Sequence, residues 1–274
     1  PTMSPKCKFD VPEVTWEPRF ENLLSVLRLE EPPRPTLFEF FLNEALYERL
    51  AGGPAPSDVN DLPRLRWLVR AFTAAGYDYT TFHGSDIAFP RGDEALGGFR
   101  QAGGICISDR ETFDAYPWPD PDEFDYSPMK GIEPELPDGM RLVVCGPGGV
   151  LENAITLVGF ENLALLMVDD PGLLDDIFEA IGSTLVRHYE VVAPHDSVGA
   201  CIGNDDWGFK TQTMLPPSAM RRYVFPWHRR IVETVHAAGK PIILHSCGNL
   251  ENVYDDIVDD IGYDAKHSYE DTIQ

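Results

Sequence analysis

Pro241-Ile242-Ile243-Leu244-His245-Ser246-Cys247-Gly248-Asn249 is an apolar run of strand type that ends abruptly in a histidine, a thiol and a glycine turn. Side chains alternate faces along a strand, so His245 and Cys247 point one way and Ser246 the other. An imidazole and a thiolate two residues apart at the mouth of a strand suit zinc. Zinc takes three protein ligands in a catalytic site and four in a structural one, so this pair is half a site. The competing reading makes Cys247 an ordinary buried thiol and His245 a hydrogen-bonded residue at the strand end.

The sequence around this strand repeats one pattern. Before it, Pro216-Pro217-Ser218 opens a helix that is expected to reach Ala238, kinked or split at Pro226 and stopped by Gly239. After it come a helix over about 251–260 and a strand-like run at 263–268. Upstream, strands are expected at 36–41, 77–83, 141–145 and 198–202, with a short candidate at 104–108. Helices are expected near 43–52, 58–75, 150–168 and 172–192, the first capped by Asn43. Residues 1–34 read as a proline-rich N-terminal arm with one short helix, and 35–274 as the main domain. Between Gly92 and Pro137 the chain makes a long excursion rich in Gly, Pro, Asp and aromatic residues.

Strand, loop, helix, strand, repeated, means a parallel sheet wrapped by helices. Six or seven strand candidates, depending on whether 104–108 is counted, stand against the eight of a closed βα barrel, the TIM (β/α)8 fold. The expectation is such a barrel lacking its last one or two βα units, about 70 residues at typical barrel size. An open doubly wound sheet is the alternative, weakened by the lack of a nucleotide-binding fingerprint. The turn Gly146-Pro147-Gly148-Gly149 precedes a helix but lacks the spacing and the lysine of a phosphate loop, so it reads as a turn.

Composition narrows the partners. Hydrophobic residues make up 43% of the 274, enough for a real core. The formal charge is −23, from 45 acidic against 22 basic residues, which disfavours nucleic acid and anionic membranes. The five cysteines are scattered and form no CxxC pair, as expected of a reducing, cytoplasmic location. No apolar stretch of about 18 residues and no secretory leader is apparent.

The chemistry-bearing residues fall at the C-terminal ends of the expected strands, where a βα barrel assembles its active site. They are His83 with Asp86, Asp205 with Asp206, His245 with Cys247, and His267 with Glu270. His267, Glu270, Asp206 and His83 are the candidates for a third zinc ligand. Asp86 and Asp206 are the candidate catalytic groups, as proton donors or charge stabilisers. His83, Asp205, His267 and Glu270 are placed at the substrate. Lys210 and Trp207 suit an anionic or flat ligand, although Trp207 reads equally well as core. Arg221, Arg222, Arg229 and Arg230, with His228, read as a solvated helix face paired with this chain's surplus carboxylates.

Taken in order, Ser85-Asp86-Ile87, Gly146-Pro147-Gly148, Asp169-Asp170-Pro171, Gly203-Asn204-Asp205-Asp206-Trp207-Gly208 and the segment Gly239 to Gly248 resemble the uroporphyrinogen decarboxylase superfamily. The likeness runs from about residue 35 to the end. It implies a (β/α)8 barrel and one of two activities. The corrinoid-dependent methyltransferase branch carries His-x-Cys as zinc ligands, matched by His245 and Cys247, with a further Cys much later that has no counterpart before Gln274. That branch implies zinc, a corrinoid (methylcobalamin) carried on a partner protein, and a thiol or tetrahydrofolate methyl acceptor. The decarboxylase branch implies a catalytic Asp in a Ser-Asp-Ile context, matched by Asp86, and an Arg-rich N-terminal anion clamp. Arg28, Arg34 and Arg49 stand alone, so the clamp is missing. The resemblance therefore favours the methyltransferase, with a decarboxylase or a non-catalytic corrinoid or porphyrin binder as alternatives.

Overall fold

In the computed structural model, which describes residues 17–57, 61–92 and 105–269, five strands form one sheet. They are β1 (Tyr79–Phe82), β2 (Arg141–Cys145), β3 (Val198–Asn204), β4 (Ile242–His245) and β5 (Ala265–His267). All pair in parallel and in chain order. A doubly wound sheet reverses its order at a switch point. This sheet has no reversal and follows the sequential winding of βα barrels.

Side-chain alternation sorts the core into two layers. Leu142 and Val144 of β2, Cys201 of β3, and Ile242 and Leu244 of β4 belong to one cluster. Their neighbours Val143, Cys145, Ala200, Ile202 and Ile243 belong to the other. Both faces are buried, which is why the strands read as continuous apolar runs. The helices, in chain order, are α1 (Phe20–Leu27), α2 (Glu44–Ala51), α3 (Leu62–Ala75), the short α4 (Arg110–Ala115) and α5 (Ser127–Ile132), then α6 (Val150–Val158), α7 (Phe160–Asp169), α8 (Pro171–Val192) and α9 (Phe225–Ala237). Helices α6 to α9 supply the first layer, and Phe20, Leu23, Tyr47, Trp67 and Phe72 of α1 to α3 pack on the second. Asn43 accepts the Leu46 N–H at 2.9 Å and Gly52 ends α2 with φ +78°, the N-cap and left-handed C-cap that the sequence calls for.

The segment 17–34 is held against the start of β1. Asp78, buried, accepts the Arg19 N–H at 2.7 Å and the Asn22 side-chain amide at 3.1 Å, and also pairs with Arg34. Residues 1–16 of the expected arm, residues 93–104 of the excursion and Glu270 lie outside the described residues. The rest of the excursion is packed: Tyr116, Met129 and Ile132 are buried in the first cluster, with Trp118 against Tyr116 at 4.6 Å.

Several expected elements differ. Residues 36–41 form no strand; the Tyr79 hydroxyl takes the Glu39 N–H and donates to the Glu39 carbonyl, both at 2.7 Å, in place of a ladder. At 105–107 there is no strand either, because the N–H groups of Cys106 and Ile107 donate to the Leu157 carbonyl at 2.8 and 3.0 Å and close the end of α6. The expected single helix over 150–168 breaks into α6 and α7, bent by 93° at Gly159, whose φ is +81°. Pro226 lacks the N–H for an α-helical bond, and the chain ahead of it opens into a wide π-type turn, Met220–Val224. The helix expected over about 251–260 is present, opening as a 3-10 turn at Glu251–Val253 and closing in a wide π-type stretch, Asp256–Ile261. Among the described residues no single helix is long and apolar enough to cross a membrane.

His188 on α8 is fully buried, with Nδ1 3.2 Å from the Tyr126 hydroxyl. Burial pulls its pKa down to about 4, the Cys145 backbone opposing weakly. The unfolded chain takes up a proton here near the ordinary value of about 6.5 and the folded chain only near 4. Stability from this group is therefore complete above pH 6.5, falls as pH drops toward 4, and levels off below. In urea titrations the drop in unfolding free energy from pH 7 to pH 5 is expected to be about 2 kcal/mol smaller in His188→Phe than in the parent protein. Equal drops would contradict this origin.

Candidate metal centre

Pairing between β3 and β4 continues past the ends of both strands, and this continuation builds the site. The last ladder partners are Asn204 and His245. Beyond them the Asp205 N–H donates to the His245 carbonyl at 2.9 Å, the Trp207 N–H to the Ser246 hydroxyl at 3.1 Å, and the Gly208 N–H to the Cys247 carbonyl at 3.1 Å. The Asn249 N–H then donates to the Phe209 carbonyl at 2.7 Å. Gly248 has φ +85°, and a Cβ there would fall 2.1 Å from the Gly208 carbonyl oxygen, so the two loops touch backbone to backbone.

Strand alternation then decides what faces the opening. Ser246 is buried, while His245 and Cys247 on the other side are half-buried. Asp206 joins them: its Oδ1 accepts the Cys247 N–H at 2.8 Å. One ligand atom from each of Asp206, His245 and Cys247 lies within 4.8 Å of the other two. The Cys247 sulfur is 3.9 Å from His245 Nε2 and 3.3 Å from the Ser268 hydroxyl. His267, the ladder partner of His245 on β5, places its Nδ1 2.7 Å from His245 Nδ1. One of these two nitrogens carries the proton and the other accepts it. Burial lowers the His267 pKa, with Glu39 opposing, so the ring is neutral at pH 7. Phe38 and Phe40, from the segment expected as a strand, set their rings 5.2 Å from His267 and 4.9 Å from His245.

Asp205 goes the other way, and its expected place at the substrate is corrected. It is fully buried. Its two oxygens accept the Leu151 and Glu152 N–H groups at the start of α6, each at 2.9 Å, and Oδ2 is 2.9 Å from His228 Nε2. His228 Nδ1 in turn meets the Tyr263 hydroxyl at 2.6 Å. The carboxylate thus fills the N-terminal anion site of α6, leaving the glycine turn no phosphate to hold. Trp207 is also corrected: it is completely buried between Phe225 and His228, at 5.1 and 4.8 Å. Lys210 is exposed on the same loop. His228 is buried and leaves the solvated helix face, whereas Arg221, Arg222 and Arg229 do pair with Asp256, Asp175 and Asp260.

His83 and Asp86 line a cleft of about 840 Å³, with Ser85, Arg91, Gly148 and Asn204 along its wall. Both side chains are exposed. Asn204 links the cleft to the Asp206, His245 and Cys247 cluster, since it is the ladder partner of His245.

Residues 100–273 match the family model for uroporphyrinogen decarboxylase (URO-D). The chain belongs to the uroporphyrinogen decarboxylase family. Among solved structures, a methyltransferase from Methanosarcina mazei shares the fold with a TM-score of 0.68 at 13% identity, over 89% of this chain and 74% of its own. No curated protein sequence matches significantly.

Within this family member, sequence reasoning passes over Glu152. It stands in the first turn of α6, its carboxylate accepting the Gly149 N–H at 3.2 Å. Burial first, and then the charges of Asp205 and Asp206, push its pKa up to about 7. The available signal is its position three residues after the glycine turn, which marks a cap and says nothing of the neighbouring aspartates.

Removing the Asp205 carboxylate would leave the Leu151 and Glu152 N–H groups and His228 without their buried partner. Asp205→Ala is expected to cost about 3–5 kcal/mol in unfolding free energy, measured by urea denaturation. A cost under about 1 kcal/mol would be surface-like and would refute this role.

Proposed function

We propose that this chain is the body of a zinc-dependent methyltransferase of the uroporphyrinogen decarboxylase family. The reading has a (β/α)8 barrel move a methyl group between a corrinoid on a separate protein and a thiol or tetrahydrofolate acceptor in the cytoplasm. The observation that carries it is the convergence of Asp206, His245 and Cys247 within 4.8 Å at the strand mouths. One oxygen, one nitrogen and one sulfur ligand suit zinc, and three protein ligands leave a fourth position for substrate. Of the candidates for a third zinc ligand this reading takes Asp206, which then serves as a ligand in place of its other expected role as a catalytic group.

Zinc held by Asp206, His245 and Cys247 would supply Lewis acidity, which lowers the pKa of an acceptor thiol. The chain's own residues arrange the rest. Asp206 spends Oδ1 on the Cys247 N–H, which fixes the carboxylate and leaves Oδ2 for the metal. His245 presents Nε2 on the side of the Cys247 sulfur, and with Nε2 on a metal its Nδ1 would be the protonated nitrogen that donates to His267. His267 is then an outer partner that fixes the ring and its tautomer, not a ligand. Asp86 and His83 line the cleft through which substrate would approach.

The decarboxylase reading keeps Asp86 at the cleft. Against it, the described lining sets Asp61, Asp86 and Asp125 against Arg91 and His83. A substrate with several carboxylates would be repelled there.

In the full-length protein, elemental analysis after dialysis is expected to find about one zinc per chain, lost in both His245→Ala and Cys247→Ala. Methyl transfer from free methylcobalamin, followed by the cobalamin spectrum, should fall with it. Unchanged zinc content in either variant would sink the site, and coproporphyrinogen formation by metal-free protein would select the decarboxylase.

A further inference from the structure

The metal-ligand cluster uses Cys247 and leaves a second thiol at the strand mouths unaccounted for. Cys145 closes β2, and its sulfur is 3.2 Å from His83 Nδ1, just beyond β1. The sulfur also lies 3.6 Å from the Phe82 carbonyl. A thiol with a base within hydrogen-bond reach is the core of an activated nucleophile.

Cys145 is buried, so its sulfur is reached only through a cavity that it lines. Cys145 and His83 both line a cavity of about 190 Å³ under Phe40, Phe41 and Tyr47, with Arg64 at its wall. The same His83 borders the large cleft, where Asp61, Asp86, Asp125 and Arg91 are the charged groups. The cavity has room for a few heavy atoms and a mostly apolar lining. Cys201 is as buried as Cys145 and its pKa is driven upward by burial, and it lacks the imidazole contact that Cys145 makes with His83.

We propose that Cys145, with His83 as its base, is a nucleophilic thiol that takes an alkyl group from a small electrophile entering the cavity beneath Phe40 and Phe41. The sulfur forms a bond to the electrophilic carbon, and the bond from that carbon to its leaving group breaks with its electron pair on the leaving group. The thiol proton passes to His83. No oxidant or metal is required, so this centre is independent of the methyltransferase reading.

Iodoacetamide is the probe, with modification followed peptide by peptide by mass spectrometry at pH 7, which keeps Cys247 separate. In the native protein, Cys145 is expected to react at least about tenfold faster than Cys201, and His83→Gln to slow Cys145 about tenfold while Cys247 keeps its rate. Protection of native Cys145 to the level of Cys201 would overturn the proposal, as would an unchanged Cys145 rate in a folded His83→Gln protein. Should that variant misfold, the parent protein decides. Native Cys145 is expected to react at least as fast as the same thiol in urea despite its burial, and native protection relative to urea would overturn the assignment.

Discussion

A buried carboxylate at the end of β3 joins four parts of this molecule. Asp205 has no contact with solvent, and a lone charge in that position would cost several kcal/mol. It is met by two N–H groups from the start of α6 and by His228 from α9, which is itself held by Tyr263 just before β5. The backbone has been cleared to let it in. A Cβ on Gly149 would overlap the Asp205 carboxylate at 2.1 Å, and one on Gly203 would strike the Tyr263 hydroxyl at 2.3 Å. Helix, strand and loop are thereby fixed to one another at the level where the site begins.

That anchoring gives the next residue its role. With Asp205 directed into the core, Asp206 must project toward the opening, and the extended pairing with the loop after β4 brings it against Cys247. Gly208 and Gly248 let the two loops approach closely enough for the pairing to persist. The Asp206, His245 and Cys247 cluster thus follows from backbone geometry, with one side chain on a strand end and two on loops held by strand-like pairing.

Local rules read some of this from sequence. A period of two put His245 and Cys247 on one side and Ser246 on the other, which is how the strand end is built. Caps at Asn43 and Gly52 were legible for the same reason, since they depend on a few adjacent residues. What escaped depends on partners far along the chain. Nothing near Asp205 and Asp206 says which of the two meets α6, and Trp207 looks like a ligand platform until Phe225 and His228 cover it. Residues 36–41 have strand composition, yet none of them is buried, Leu37 and Phe41 are exposed, and the segment meets the sheet through the Tyr79 hydroxyl and two aromatic rings in place of a ladder. Gly159 is one residue inside an apolar helical pattern, and only its φ of +81° makes it a corner.

The histidines show how position divides one residue type into separate tasks. A ring that binds metal, or accepts a hydrogen bond from one that does, must be neutral near pH 7. Burial enforces that for His267, beside His245. The same force keeps His188 neutral inside the helical layer, where it contributes only to stability. At His83 the balance reverses: the neighbouring Cys145 sulfur raises the pKa against the pull of burial. Solvent at the exposed edge of that ring screens part of this pull, but its direction is set by a sulfur at 3.2 Å. A neutral ring at β5 suits ligand orientation, and a ring that readily takes a proton beside β2 suits activation of a thiol. The parallel sheet brings both to one edge while keeping them on different strands, so each can be tuned without disturbing the other.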